Sequence, residues 1–292
     1  MPRPAGIAGA GRMAQALGRL LSERGECVAA IASRDPAHAA VAARFVGGAT
    51  RAVTYDGIVQ HARYVLIAVP DDAIAEVAQA LAQSGMCGGV ALHTSGARGP
   101  EALAALAASG VSCGTLHPLQ TVANPGEGVT VLPGSAFAID GEPDAVAWAT
   151  QIAGLLNGIV LQIPATARPL YHAAAVTASN YLIALISTAV MLMKEAGVDE
   201  ATAQRALEPL ARTSVRNAFE LGPAAALTGP IVRGDADTVR AHLAAIRNAK
   251  PAVSSLYRAV GLATLEVARR QGLDAARGGT IEEILMEGSG RD

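Results

Sequence analysis

Aromatic residues make up only 3% of the 292-residue chain and charged residues 16%, against 51% hydrophobic. A core of this composition has to be close-packed from alanine and branched aliphatics rather than filled by large rings. Neither sign of charge dominates, since 23 Lys+Arg against 25 Asp+Glu leave a net −2. No overall positive field argues for a nucleic-acid or anionic-membrane partner. Cysteine is scarce as well: Cys27, Cys87 and Cys113 lie in apolar runs without CxxC spacing. A disulfide framework and a thiolate zinc site are therefore not expected, no metal is implied, and a reducing, cytoplasmic setting fits. The N-terminal MPRPAGIAGAGRMAQAL has a broken apolar run containing Arg12, unlike the continuous core of a signal peptide. Between His172 and Met193 no residue is formally charged, a stretch long enough to cross about 30 Å of hydrocarbon. Thr177, Ser179, Asn180, Ser187 and Thr188 interrupt it, no second such stretch exists, and a helix buried in protein is the expectation.

What is present is an alternation. Short apolar runs at 5–9, 27–33, 64–69, 89–95, 111–118, 137–140 and 159–163 read as strands. Helical patterns at 14–24, 34–45, 71–85, 100–110 and 144–156 separate them, the third with Asp71 and Asp72 in its first turn. Continuous apolar strands separated by helices predict an α/β fold with a mostly parallel sheet covered on both faces. After Pro164 the strand signal ends, and helices are expected over 168–196, 199–219, 236–249, 251–273 and near 280–286. Domains are accordingly placed at 1–165 and 166–292, the second all-helical, with the closing EGSGRD frayed.

The densest chemical signal is GAGRMA at 9–14, a GxGxxA element directly after the first strand and opening the first helix. Gly9 permits the tight turn, Gly11 lets the backbone approach a pyrophosphate near Arg12 and Met13, and Ala14 allows close helix–strand packing. An acid about 20 residues beyond such glycines would favour NAD. Here the second strand ends Ser33-Arg34, a hydroxyl and a guanidinium suited to the 2′-phosphate of NADP, whereas Asp35 in the critical place would restore NAD. Val69-Pro70 and His93-Thr94-Ser95 close further strands on the same edge. Val69 and Pro70 would border the nicotinamide half, and Thr94 or Ser95 would either face it or cap the next turn. His117, before Pro118 at another strand end, could orient a carbonyl, donate a proton near pH 7, or serve structurally.

In the second half, His172, Ser179 and Asn180 fall roughly on one side of an otherwise apolar helix, lining a cleft or bonding to neighbouring helices. Arg233 sits in the tight LTGPIVRGD segment, where Asp235 can cap the next helix. Its guanidinium could clamp a carboxylate or phosphate, or form an ion pair.

Together GAGRMA, VPDDAI, LHTSG, LHPLQT, YHAAAVTASNYLIAL and ALTGPIVRGD resemble, over nearly the whole chain, a bacterial family provisionally assigned as NADP-dependent oxidoreductases. That family has a Rossmann-like domain and a C-terminal helical domain of unassigned function. More distantly it is similar to pyrroline-5-carboxylate reductase, ketopantoate reductase and the β-hydroxyacid dehydrogenases. The resemblance implies NADP as cofactor, hydride transfer to a small C=O or C=N substrate, carboxylated ones included, though the relatives' own substrates do not transfer, and a homodimer through the helical domain. Ketopantoate reductase and the β-hydroxyacid dehydrogenases use a lysine early on the first interdomain helix. This chain has only Lys194 and Lys250, so His172 takes the early polar place and Asn180 corresponds to a later asparagine. A non-catalytic NADP-binding regulatory or assembly protein is the alternative.

Overall fold

The computed structural model describes residues 4–287, and all of EGSGRD beyond Glu287 lies outside the described residues. The chain forms two compact units, Met1–Ser179 and Asn180–Asp292.

In the first unit the strands are β1 (Ala5–Ala8), β2 (Val28–Ala32), β3 (Arg51–Val53), β4 (Tyr64–Ile67), β5 (Val90–His93), β6 (Ser112–Pro118), β7 (Ala136–Gly141) and β8 (Ile159–Gln162). They form one sheet in the order β3-β2-β1-β4-β5-β6-β7-β8. Pairing is parallel throughout except between β6 and β7. The helices are α1 (Arg12–Glu23), α2 (Pro36–Val46), α3 (Tyr55–Ile58), α4 (Ile74–Gln83), α5 (Ala104–Ala107), α6 (Pro125–Val131), α7 (Pro143–Leu155) and α8 (Arg168–Val176). Successive strand side chains point to opposite faces, so two cores form. Leu66 and Leu92 join Leu17, Leu21, Phe137 and Trp148 in one. Val65, Ile67 and Ala91 join Ile74, Leu81 and Leu106 in the other. The apolar runs predicted a sheet covered on both faces, and this is the sheet that forms.

Alanine and glycine let the elements approach closely. Gly9 has φ +122°, and a Cβ there would collide with the Ala68 carbonyl. At the crossing of α1 with α6, a Cβ on Gly128 would lie 2.6 Å from that of Ala16. Three short elements, β3, α3 and α6, were not apparent in the sequence pattern; none exceeds seven residues, too short to show a period. Asp71 and Asp72 do not lie in the first turn of α4, which starts at Ile74. The Ala73 N–H bonds to the Pro70 carbonyl, and the acids occupy that turn.

Residues 168–196, expected as one helix, comprise α8, a π-helical turn over Thr177–Tyr181 and α9 (Leu182–Glu195). The helical run Ala165–Glu195 is long and apolar enough to cross a membrane by length and composition, with a mean hydropathy of 1.7, yet only 6% of its most apolar stretch is buried. It is thus not buried within the chain, contrary to the sequence pattern, because Ile183, Leu185 and Ile186 point outward.

The second unit continues with α10 (Glu200–Leu221), α11 (Pro223–Ala226), α12 (Pro230–Arg233), α13 (Ala236–Ala249), α14 (Ser254–Arg270) and α15 (Ala275–Met286). Its core gathers Ile231, Val239, Leu243, Leu265, Ile281 and Leu285. Asp199, Asp235 and Asp274 accept backbone N–H bonds at the starts of α10, α13 and α15. The last helix starts earlier than expected because Asp274 caps it ahead of the Gly278-Gly279 pair that obscures its pattern.

Candidate functional site

The carboxyl ends of β1, β2, β4, β5 and β6 carry most of the residues singled out in the sequence. After β1, α1 begins at Gly11 without a side-chain cap and without an acid in its first turn. In this unit α2 is capped by Asp35 and α6 by Asn124, whereas α3, α4, α5, α7 and α8 lack a side-chain cap as α1 does; what sets α1 apart is the glycine turn before it and the open space over Gly11. A helix N-terminus left in this state presents free N–H groups and the positive end of the dipole. The space over Gly11 is open, with nothing within 4 Å of where a Cβ would sit. Ala14 is fully buried, Met13 packs against the core, and the exposed Arg12 reaches the Ala123 carbonyl at 3.1 Å. This arrangement can hold an anion through backbone donors.

At the end of β2, Asp35 is committed. Its Oδ1 accepts the Ala37 N–H at 2.8 Å as the cap of α2, and the Asp35 N–H is 3.3 Å from the Ser33 hydroxyl. Arg34 is exposed and shares a small groove with Tyr55, Val69, Pro70 and Val77. Burial pushes the Tyr55 hydroxyl pKa up, opposed by the Arg34 charge. Tyr55 went unnoticed in the sequence because α3 did.

At β5, Ser95 is buried and its hydroxyl accepts the Ala97 and Arg98 N–H groups at 3.2 and 3.1 Å, so it caps that turn. Thr94 is half-buried beside it. His93 is fully buried between the Gly99 carbonyl, 2.9 Å from Nε2, and the Ser95 N–H, 3.2 Å from Nδ1. Burial lowers its pKa.

The end of β6 meets the start of α8. His117 Nδ1 lies 2.6 Å from the Tyr171 hydroxyl, with the rings edge to face, centroids 5.6 Å apart. The imidazole rests on Gly96, where a Cβ would come within 2.7 Å of Cε1 and Nε2. Burial chiefly, then the nearby His172 and Arg168 charges, lowers the His117 pKa from 6.5 to about 4. His117 is therefore neutral at pH 7 and is no imidazolium donor there. Burial raises Tyr171 to about 12.

Arg168, one helical turn before Tyr171, is 2% exposed. Its Nη2 donates to the Thr115 hydroxyl at 3.0 Å and to Asp140 at 3.3 Å, while Nε and Nη1 have no partner among the described residues. Sequence reasoning missed Arg168 and the role of Tyr171. The available signals were a lone cation entering an uncharged helix, and a tyrosine in a chain with five.

Residues 3–118 match the family model of a Rossmann-like domain, and residues 135–264 that of a domain of unknown function, DUF2520. No curated protein matches the chain's sequence. Among solved structures it is similar to a provisionally assigned NADP oxidoreductase from Bacteroides fragilis, with 23% identity, TM-score 0.73, and coverage of 92% of this chain and 99% of that one. A protein from Thermotoga maritima follows at 23% identity, TM-score 0.70, and 91% and 99% coverage. Pyrroline carboxylate reductase from Plasmodium falciparum, solved with NADP bound, has 11% identity, TM-score 0.59, and 97% and 98% coverage. These likenesses are of fold.

The remaining predicted residues fall in the DUF2520 match. His172 is half-buried next to Tyr171, and Asn180 is exposed within the π turn. Arg233 is exposed at the end of α12, before Gly234 in the left-handed conformation and the cap residue Asp235. Asn180 and Arg233 belong to the second compact unit, His117 and His172 to the first. Among the described residues no group of three His, Cys, Asp or Glu is placed to hold a metal.

The depressed His117 pKa has a stability consequence. Between pH 6.5 and about 4, the unfolded chain binds a proton that the folded chain refuses, so stability falls as pH falls, by at most about 1.4 kcal/mol per pH unit, and this slope vanishes above the window. Urea melts of the parent and His117→Asn at pH 7.5, 5.5 and 4.5 should show a shallower loss in the variant. Parallel losses would mean that His117 titrates normally.

Proposed function

We propose that the chain is an NADP(H)-dependent oxidoreductase acting on a small C=O or C=N substrate, a carboxylated one being compatible with Arg233. One observation carries this: the uncapped, unobstructed start of α1 at Gly11, on the sheet edge that also presents Arg34. Gly9 and Gly11 would admit the pyrophosphate to the N–H groups of Arg12 and Met13. Ser33 and Arg34 would hold the 2′-phosphate by charge-assisted bonds. Asp35, spent on its helix cap, supports the choice of NADP over NAD. Val69 and Pro70 would line the dinucleotide path, with Thr94 and Ser95 bordering its nicotinamide end. The NADP oxidoreductase and the NADP-bound reductase of the same fold lend further support. When bound, NADPH supplies the hydride. His117 and His172 are the candidates for handling the proton, Asn180 for ordering substrate or water, and Arg233 for clamping an anion.

Calorimetric titration with NADPH and NADH tests this directly. NADPH should bind more tightly, and Arg34→Ala should cost roughly 1–3 kcal/mol in NADPH binding while changing NADH binding little. Equal losses would remove the phosphate role, and no binding of either cofactor would refute the assignment. Loss of NADPH absorbance across a panel of small ketones, imines and keto acids would then identify the substrate class and exclude a purely regulatory protein.

A homodimer through the second unit is also proposed. Ile183, Ile186, Leu210, Phe219 and Leu221 are exposed there at 40–85%, more apolar surface than a soluble chain keeps in water, and a two-fold contact would cover it. A cytoplasmic location suits the free, exposed Cys27 and Cys87. Sedimentation over a wide dilution range should give the mass of two chains at micromolar concentration; a monomer there would contradict it.

A further inference from the structure

We propose that Tyr171 is the group that gives the substrate its proton, and that His117 stands behind it as the relay that restores that proton from solvent. This rests on the oxidoreductase assignment and moves the proton from His172 to its neighbour. The geometry is a pair of rungs between α8 and β6. Arg168 and Tyr171 are three residues apart and share a helix face, while Thr115 and His117 are two apart and share a strand face. The lower rung is the Arg168–Thr115 bond of 3.0 Å, the upper the Tyr171–His117 bond of 2.6 Å. The lower rung, reinforced by Asp140 at 3.3 Å, fixes the first turn of α8 and with it the height of the Tyr171 ring.

The His117 ring lies directly on the Cα of Gly96, a position where any side chain would displace it. Its Nδ1 faces Tyr171, and its Nε2 makes no hydrogen bond among the described residues. Among the described residues the Tyr171 hydroxyl bonds to His117 alone. If His117 Nδ1–H donates to the phenol oxygen, the Tyr171 O–H is free to point at a substrate. Burial keeps the phenol intact and the imidazole neutral at pH 7, so one proton lies between Nδ1 and the phenol oxygen.

The proton count closes. As the substrate is reduced, the electron pair of its C=O or C=N bond moves onto O or N. The Tyr171 O–H bond breaks, its electron pair stays on the phenolate, and the proton bonds to that O or N. His117 passes its Nδ1 proton to the phenolate while Nε2 takes one from water-borne acid, leaving a neutral imidazole in the other tautomer. Exchange with solvent restores the first tautomer, so each turnover takes up one proton. The buried Arg168 guanidinium, with Nε and Nη1 unpartnered, opposes the negative charge that Tyr171 briefly carries.

The test needs no known substrate. Two-bond 1H–15N spectra of the full-length protein labelled with 15N-histidine, with His117→Asn to assign the signals, report which ring nitrogen is protonated between pH 5 and 8. The expected result is His117 mainly as the Nδ1–H tautomer, and a loss of that preference in Tyr171→Phe. A mainly Nε2–H tautomer in the parent would overturn the relay, since Tyr171 would then be spending its proton on Nδ1. NADPH titration of the same samples separates the two claims. Failure of the parent to bind NADPH sinks the oxidoreductase assignment, whereas normal NADPH binding with the Nε2–H tautomer sinks the relay alone. With a turnover substrate in hand, Tyr171→Phe should slow single-turnover reduction by about 10²–10⁴-fold and keep NADPH affinity within about threefold; a rate within threefold of the parent would overturn the assignment.

Discussion

A guanidinium taken out of water must be paired, and the site is organised around one that is only partly so. Arg168 is 2% exposed and meets Thr115 and Asp140 through a single nitrogen. Removing Asp140 would strand a buried charge, an error costing about 3–5 kcal/mol, so the start of α8 has little freedom to move on β6 and β7. Everything placed by that turn inherits the constraint. Tyr171 meets His117 because Arg168 has already set the helix against the strand. The antiparallel β7 has a part here as well, since its pairing with β6 sets Asp140 opposite Thr115.

The same sheet edge divides its polar work unevenly. Ser95, Asp35 and His93 hold turns and caps together, and their side chains are largely consumed by the backbone. Gly11, Arg34, Thr94 and the His117–Tyr171 pair keep capacity to spare. Chemistry along this edge therefore depends less on which polar residues are present than on which ones the local backbone leaves unengaged.

Much of the fold was legible because its signals are local. Five-residue apolar runs such as YVLIA and the alternation of strand and helix dictate a parallel sheet, and GAGRMA falls at the junction where such a turn belongs. Elements of three to seven residues, β3, α3 and α6, were hidden because periodicity needs length. The site was legible where backbone conformation carries it, as at Gly9 and Gly11, and where an acid precedes a helix, as at Asp235. It was not legible where it depends on tertiary contact. Nothing near Arg168 in the sequence announces Thr115 or Asp140, and the His117–Tyr171 bond joins residues 54 apart. The long uncharged helix shows the limit from the other side: composition fixed that it is apolar, but not that its surroundings within the chain leave it uncovered.

The close approaches around α1 have a thermodynamic meaning for the anion proposed to bind at its start. On one side Gly128 meets Ala16 with no room for a methyl group, and at its entry Gly9 abuts the Ala68 carbonyl. A helix wedged this tightly has no slack to take up when a charge arrives, so its N–H groups are preorganised and little ordering entropy is lost on binding. Stiffness comes with intolerance. If α1 holds the phosphates as proposed, that end of the site cannot adapt to a ligand of different shape by shifting the helix, and any broadening of ligand choice has to come from the loops that follow β5 and β6.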